Sequence, residues 1–238
     1  MDFRLFIRQK FCYNMVNLKT GEVIMKTETS LKETIYNAIL EDIIALEYRP
    51  GQILNEKTLI EKYNCSKSPV REALLALCTD NVLRNIPRYG YEVVRLTMED
   101  IHEMIQFRYI LESNMLQPRI GRFTPAQIER LEAIDKLCTE NAGNLMQHWE
   151  LNTQFHLKLI GYCGNSFAVE ELDRCMNRLK RAYAQCHWGK EEEPVDHMDT
   201  RNHAQLLDCL REKDVDKVLQ ALRDDLNDFG GLDRIFVE

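Results

Sequence analysis

Ser66-Lys67-Ser68-Pro69-Val70-Arg71-Glu72-Ala73-Leu74-Leu75-Ala76-Leu77 is the stretch on which the fold of this 238-residue chain turns. Ser66 is a good N-cap residue, and Pro69 is tolerated in a first turn because N–H groups there have no partner within the helix. Val70, Leu74 and Leu77 then recur at i, i+4 and i+7, the spacing of one buried stripe. On that register Lys67, Ser68 and Arg71 are left on the open face.

Upstream, Asn55 caps a short helix through Tyr63 with Leu59 and Ile60 inward, and Asn64-Cys65 makes the turn out of it. Before that, Leu31, Ile35, Ala38, Ile39, Ile43 and Leu46 recur at helical spacing, predicting a first helix that Pro50-Gly51 stops. Downstream of Asn81 the period changes. Val82 to Ile86 and Tyr91 to Val94 alternate like two strands around a turn at Pro87-Arg88-Tyr89-Gly90. Three helices followed by a hairpin, with a basic third helix, is the winged variant of the helix-turn-helix.

Thr97 with Asp100 three residues on marks a helix start, and six helical segments follow, at 98–120, 125–142, 145–162, 166–187, 198–212 and 214–229. Their lengths fit an antiparallel bundle with room for a ligand between helices. The expected fold is therefore mainly α: a winged helix-turn-helix over 31–95 and an all-helical bundle over 96–238, preceded by an extension at 1–30. Within that extension, Gly21-Glu22-Val23 before Ile24-Met25 is what a purine-rich ribosome-binding sequence would encode if translated, which makes Met25 a candidate start.

Charge divides along the chain. The net charge is −7, but residues 57–95 hold seven Lys/Arg against four Asp/Glu, and 96–238 hold seventeen against twenty-six. A local basic footprint suits nucleic acid, whereas the acidic remainder implies a second job. Eight cysteines without a C-x-x-C pair argue against a zinc ribbon, a redox motif or a secreted disulfide framework. No apolar run approaches the ~20 residues of a membrane span, and no small-residue cleavage site follows the early apolar stretches. A cytoplasmic protein with no membrane partner is expected.

Arg49-Pro50-Gly51-Gln52-Ile53-Leu54-Asn55-Glu56, then Ser66 through Leu74, then Arg88-Tyr89-Gly90 together resemble the DNA-binding domain of GntR-family regulators. Cys65, Ser68 and Asn81 depart mildly from the family pattern. Beyond residue 96, Arg108-x-x-Leu111-Glu112 and Asn202-His203-x-x-Leu206-Leu207 resemble the FadR-like branch, whose helical C-terminal part is of the FCD type. The resemblance implies a transcriptional regulator, not an enzyme. In it the helix at Ser66 enters the major groove of double-stranded operator DNA, with Arg71 or Lys67 on guanine and Ser66 and Ser68 on phosphate. Arg88, with Gly90 allowing close backbone approach, enters the minor groove, and Lys57 touches phosphate. One head reads a short half-site, so a homodimer is expected, with the helical part as its natural surface.

In many FadR-like regulators an Asp-x-x-x-His pair and two later histidines hold a divalent metal that binds a carboxylate effector. Here those positions read Asn152, His156, His203 and Asp225. Two depart, but two imidazoles and a carboxylate remain to hold Zn²⁺, Ni²⁺ or Mn²⁺ with open positions. Without metal the same groups would hydrogen-bond a small-molecule effector directly. Arg108 and Arg181, flanked by apolar positions, would each meet an effector carboxylate or a partner such as Glu112 or Asp173, the latter more expected for Arg181. His148, His187 and His197 read as surface or loop residues. A metal-dependent enzyme is the main rival, although no general base and nucleophile pair is evident, and a helical scaffold without DNA affinity is the second.

Overall fold

The computed structural model describes residues 30–188 and 201–227, and the chain divides into two compact units between Arg95 and Leu96. The 1–30 extension, apart from Ser30, and the proposed start at Met25 lie outside the described residues.

In the first unit α1 spans Leu31–Ile44, β1 Ile53–Leu54, α2 Glu56–Tyr63, α3 Lys67–Thr79, β2 Leu83–Ile86 and β3 Gly90–Val93. Ile35, Ile39 and Ile43 of α1 meet Val70, Leu74 and Leu77 of α3 in a core closed by Leu59, Leu83 and Val93. This is the stripe read from the sequence. Two expectations are corrected. Helix α1 ends at Ile44, well before Pro50-Gly51, because Leu46 takes a left-handed backbone at φ 62° that no helix can continue through. The wing also has a third strand, β1, which pairs with β3 through Ile53–Glu92 and Leu54–Tyr91 in the order β1-β3-β2.

A polar clamp fixes α2 to α1. Lys62 Nζ lies 2.7 Å from Asp42, which also accepts from the Tyr63 hydroxyl at 2.9 Å. Asn64, in a left-handed conformation at the end of α2, turns the chain toward α3.

The second unit holds α4 Met98–Leu116, α5 Pro125–Glu140, α6 Leu145–Gly161, α7 Ser166–Tyr183, α8 Arg201–Glu212 and α9 Val215–Asn227. A short 3-10 turn, Ile120–Arg122, follows α4, and one π-helical stretch, Ala184–Trp188, replaces the end of the helix expected to reach 187. Helix α4 opens with a full capping box: Thr97 accepts from the Asp100 N–H while Asp100 accepts from the Thr97 N–H. Helix contacts run α4–α7–α6–α5–α8–α9 and back to α4, so the six helices close a ring around a common interior. No helix among the described residues is long and apolar enough to cross a membrane.

Candidate functional sites

In the first unit Lys57, Ser66, Lys67, Ser68, Arg71 and Arg88 are all exposed. Arg71 and Arg88 make no ion pair among the described residues, so their full charge faces solvent. Lys67 is 3.5 Å from Glu56, and Ser68 donates to Glu72 at 2.8 Å. Ser66 stands at the N-cap position of α3, but its side chain makes no cap hydrogen bond. The expected cap is thus a position and not a bond. Arg88 sits at the wing tip at φ 72°, an unusual conformation for a side-chain-bearing residue, in a turn closed by the Tyr89 N–H donating to the Ile86 carbonyl. Gly90 has a role internal to the sheet. At φ 134° an added Cβ would lie 2.4 Å from the Leu54 carbonyl oxygen, so only glycine lets β1 close on β3.

In the second unit the ring interior gathers charge. Arg108 and Glu112 on α4, His156 on α6, His203 on α8, Asp225 on α9 and Arg181 on α7 are all buried. His156 and His203 each direct Nε2 at one carboxylate, Asp225, at 3.2 and 3.4 Å. Their other nitrogens are engaged as well, with His156 Nδ1 2.8 Å from Glu112 and His203 Nδ1 3.1 Å from Asp135 on α5. One donor atom from each of His156, His203 and Asp225 lies within 4.8 Å of the others. The His203 ring is stacked on Phe155 at 3.9 Å between centroids, which fixes its plane.

Electrostatics follow from this packing. Burial alone would raise the Asp225 carboxyl, yet His203 and His156 beside it hold it down to about 2. Burial likewise opposes ionisation of Glu112, and Arg108 and His156 outweigh it. Burial disfavours a charged His156, but the Glu112 carboxylate more than compensates and its pKa is raised.

Among the described residues, the buried polar atoms of this unit without a hydrogen-bond partner include two beside the charge cluster. They are Asn152 Oδ1, one turn before His156, and Arg108 Nη2, whose Nε donates to Glu112 at 2.9 Å. Glu112, weighed in the sequence as a partner for Arg108 or Arg181, is the i+4 partner of Arg108.

Glu112 and Asp135 were missed as members of the site. Glu112 carried a signal in its i+4 spacing from Arg108, whereas Asp135 carried none beyond lying between Ile134 and Cys138, both buried. His148 is corrected outright. It is 1% exposed, with Nδ1 3.1 Å from the Cys138 carbonyl, and it ties α6 to α5. His197 lies outside the described residues, and the side chain of His187 is not described.

With this geometry in hand, comparison with known proteins gives the affiliation. The family model of bacterial regulatory proteins of the gntR family matches residues 31–93, and the FCD domain model matches 103–228. The chain belongs to the GntR family and carries an FCD domain. It is 24% identical over 216 residues to the HTH-type transcriptional repressor RspR of Escherichia coli, covering 86% of this chain and 92% of that one. It is 29% identical over 136 residues to the HTH-type regulator YdhC of Bacillus subtilis, 55% of this chain and 59% of that one. Among solved structures, E. coli McbR/YncC superposes with a TM-score of 0.64 at 23% identity over 84% of this chain and 94% of that one. A GntR regulator from Rhodococcus sp. RHA1 superposes with a TM-score of 0.67 at 20% identity over 84% and 95%. This GntR-family chain is an HTH transcriptional regulator and not an enzyme, as its families and relatives are.

Proposed function

We propose that this regulator binds a near-palindromic operator as a two-fold dimer, and that a small carboxylate metabolite, held through a divalent metal in the helical unit, sets its operator affinity. The observation that carries the reading is the double engagement of the two histidines. Each Nδ1 is held by a carboxylate, Glu112 or Asp135, while both Nε2 atoms converge on Asp225. Carboxylates behind imidazoles fix ring orientation and raise ligand basicity, the usual support around metal-binding histidines.

The residues fit a divalent ion. Two imidazole nitrogens and one carboxylate suit Zn²⁺, Ni²⁺ or Mn²⁺, and the orphaned Asn152 Oδ1 is a neutral fourth donor. When bound, the ion supplies a Lewis-acidic centre to which a carboxylate can attach. The residues of this chain do the rest: the two carboxylates orient the imidazoles, and the unsatisfied Arg108 Nη2 offers a second contact to the same anion. Effector binding then shifts the population of head arrangements relative to the half-site spacing of the operator.

On the DNA, Arg71 reads guanine from the first turns of α3, Lys67, Ser66, Ser68 and Lys57 lie along phosphates, and Arg88 enters the minor groove. The reading is tested on chelator-stripped protein by calorimetric titration with Zn²⁺, Ni²⁺ and Mn²⁺, followed by gel shifts on operator DNA recovered by genomic pulldown. One ion per chain, lost in His203→Ala, is expected. Absence of binding by all three ions, with unchanged DNA affinity on adding carboxylates, would remove the metal and effector parts of the reading.

A further inference from the structure

A cleft of about 400 Å³ opens between the first half of α5 and the end of α8, away from the buried charge cluster. His203 lies in the first turn of α8, whereas the cleft takes Leu210, Arg211 and Lys213, about two turns further on. Its floor is apolar: Phe123, Ile128 and Leu210 line it and are 7%, 6% and 1% exposed. Phe123 is itself fixed by an edge-to-face contact with Tyr162, at 6.2 Å between ring centroids.

The walls carry opposite charge. Glu129 and Glu132 stand on α5, and Arg211 and Lys213 face them from the end of α8 and the residue after it. Asp135 meets His203 and Glu132 meets Arg211, so the two helices run antiparallel and Lys213 lies toward the level of Glu129. One level of the cleft is closed by the Arg211–Glu132 ion pair. At the other, Glu129 and Lys213 are exposed and pair with nothing among the described residues. Lys213 is held there in a left-handed backbone at φ 60°, its N–H donating to the Leu210 carbonyl. Glycine is the usual residue at such a helix end, and a side-chain-bearing residue costs backbone energy.

From this arrangement we infer that the cleft is a second small-molecule site, and that its ligand is a free amino acid with a branched or aromatic side chain. The ammonium group meets Glu129, the carboxylate meets Lys213, and the side chain lies on Phe123, Ile128 and Leu210. Both charges of the ligand sit on one carbon, so it completes a pair that the walls do not close by themselves. A simple anion would leave Glu129 unmatched and repelled, and a simple cation would do the same to Lys213. The volume lies at the small end of the range for small-molecule pockets, which suits a compact ligand. The site shares no residue with the proposed metal centre, so the inference does not rest on that reading.

Calorimetric titration of the full, chelator-stripped chain with L-leucine and L-phenylalanine tests the inference. Saturable binding at one site per chain is expected. Two analogues that keep the leucine body and one charge, 4-methylpentanoate and 3-methylbutylamine, are each expected to bind about 10-fold more weakly or worse, for want of one charge-assisted hydrogen bond. Glu129→Gln and Lys213→Asn should each weaken leucine binding by about the same factor with helicity unchanged, asparagine being chosen because it tolerates the left-handed backbone. Glu129→Lys should reverse the preference, so that 4-methylpentanoate binds better than leucine. His203→Ala should bind leucine as the wild type does. Failure of both amino acids to bind at millimolar concentration overturns the inference, as does equal binding of the singly charged analogues. Folded Glu129→Gln and Lys213→Asn variants of undiminished affinity overturn it too. Loss of leucine binding in His203→Ala would place the ligand in the buried cluster and equally overturn it. A chain that binds leucine as expected but takes up no metal sinks the metal reading alone.

Discussion

The two halves of this regulator handle positive charge in opposite ways. In the winged unit Arg71 and Arg88 stand exposed without ion-pair partners among the described residues, on surfaces built by an apolar core beneath them. In the helical unit Arg108 and the two histidines are almost wholly buried, each against a carboxylate. The difference teaches what kind of ligand each arrangement suits. A polyanion that arrives from outside is met by charge left in water, where displaced counterions supply the affinity. A small ion or anion selected from solution needs groups already desolvated and oriented, and these stay charged only when paired.

The largest expected effect breaks the buried side. Glu112→Ala strips a partner from both Arg108 and His156, and chemical denaturation is expected to show a loss of about 3–5 kcal/mol. Exposed Arg71→Ala should leave folding stability almost unchanged. Equal losses at the two positions would erase the contrast.

Acid should expose the same asymmetry in metal-free protein. Asp225 is depressed in the fold, so its stabilising contribution is present above its ordinary value of 3.8 and lost as pH falls through that value toward about 2. Glu112 acts with the same sign. His156 runs the other way: its raised pKa contributes below 6.5 and is lost as pH climbs through the raised value. Urea midpoints across pH, compared with those of Asp225→Asn, report the acid limb, which should flatten in the variant.

A smaller change sharpens the metal reading. Asp135→Asn leaves the His203 ring in place but weakens its carboxylate support, and calorimetry should show about 10–100-fold lower metal affinity. On the DNA side, Arg71→Ala is expected to cost about 1–3 kcal/mol on operator and little on random duplex in gel shifts. Lys57→Ala is the mildest, reducing the slope of log affinity against log salt by about one while leaving sequence preference intact.

Much of the first unit was legible because its signals are local. The Val70, Leu74, Leu77 stripe and the Asn55 cap each depend on residues within about two helical turns, as does the Thr97–Asp100 box that opens the second unit. What escaped was set at longer range. Strand β1 is only two residues long and exists because Gly90 lets β3 approach the Leu54 carbonyl. Leu46 carried no sign of a left-handed backbone. His148 looked like any surface histidine until α5 brought the Cys138 carbonyl to it.

Taken alone, the sequence determined the order of helices and strands, the open basic face of α3 and the presence of His156, His203 and Asp225, since periodicity and caps act between near neighbours. Tertiary structure decided which charges meet. Glu112, Asp135, His156, His203 and Asp225 come from five helices spread over more than a hundred residues, and only closure of the helical ring sets their distances and their protonation. Burial raises the energy of any lone charge, so the partner that relieves it is dictated by packing and cannot be read along the chain.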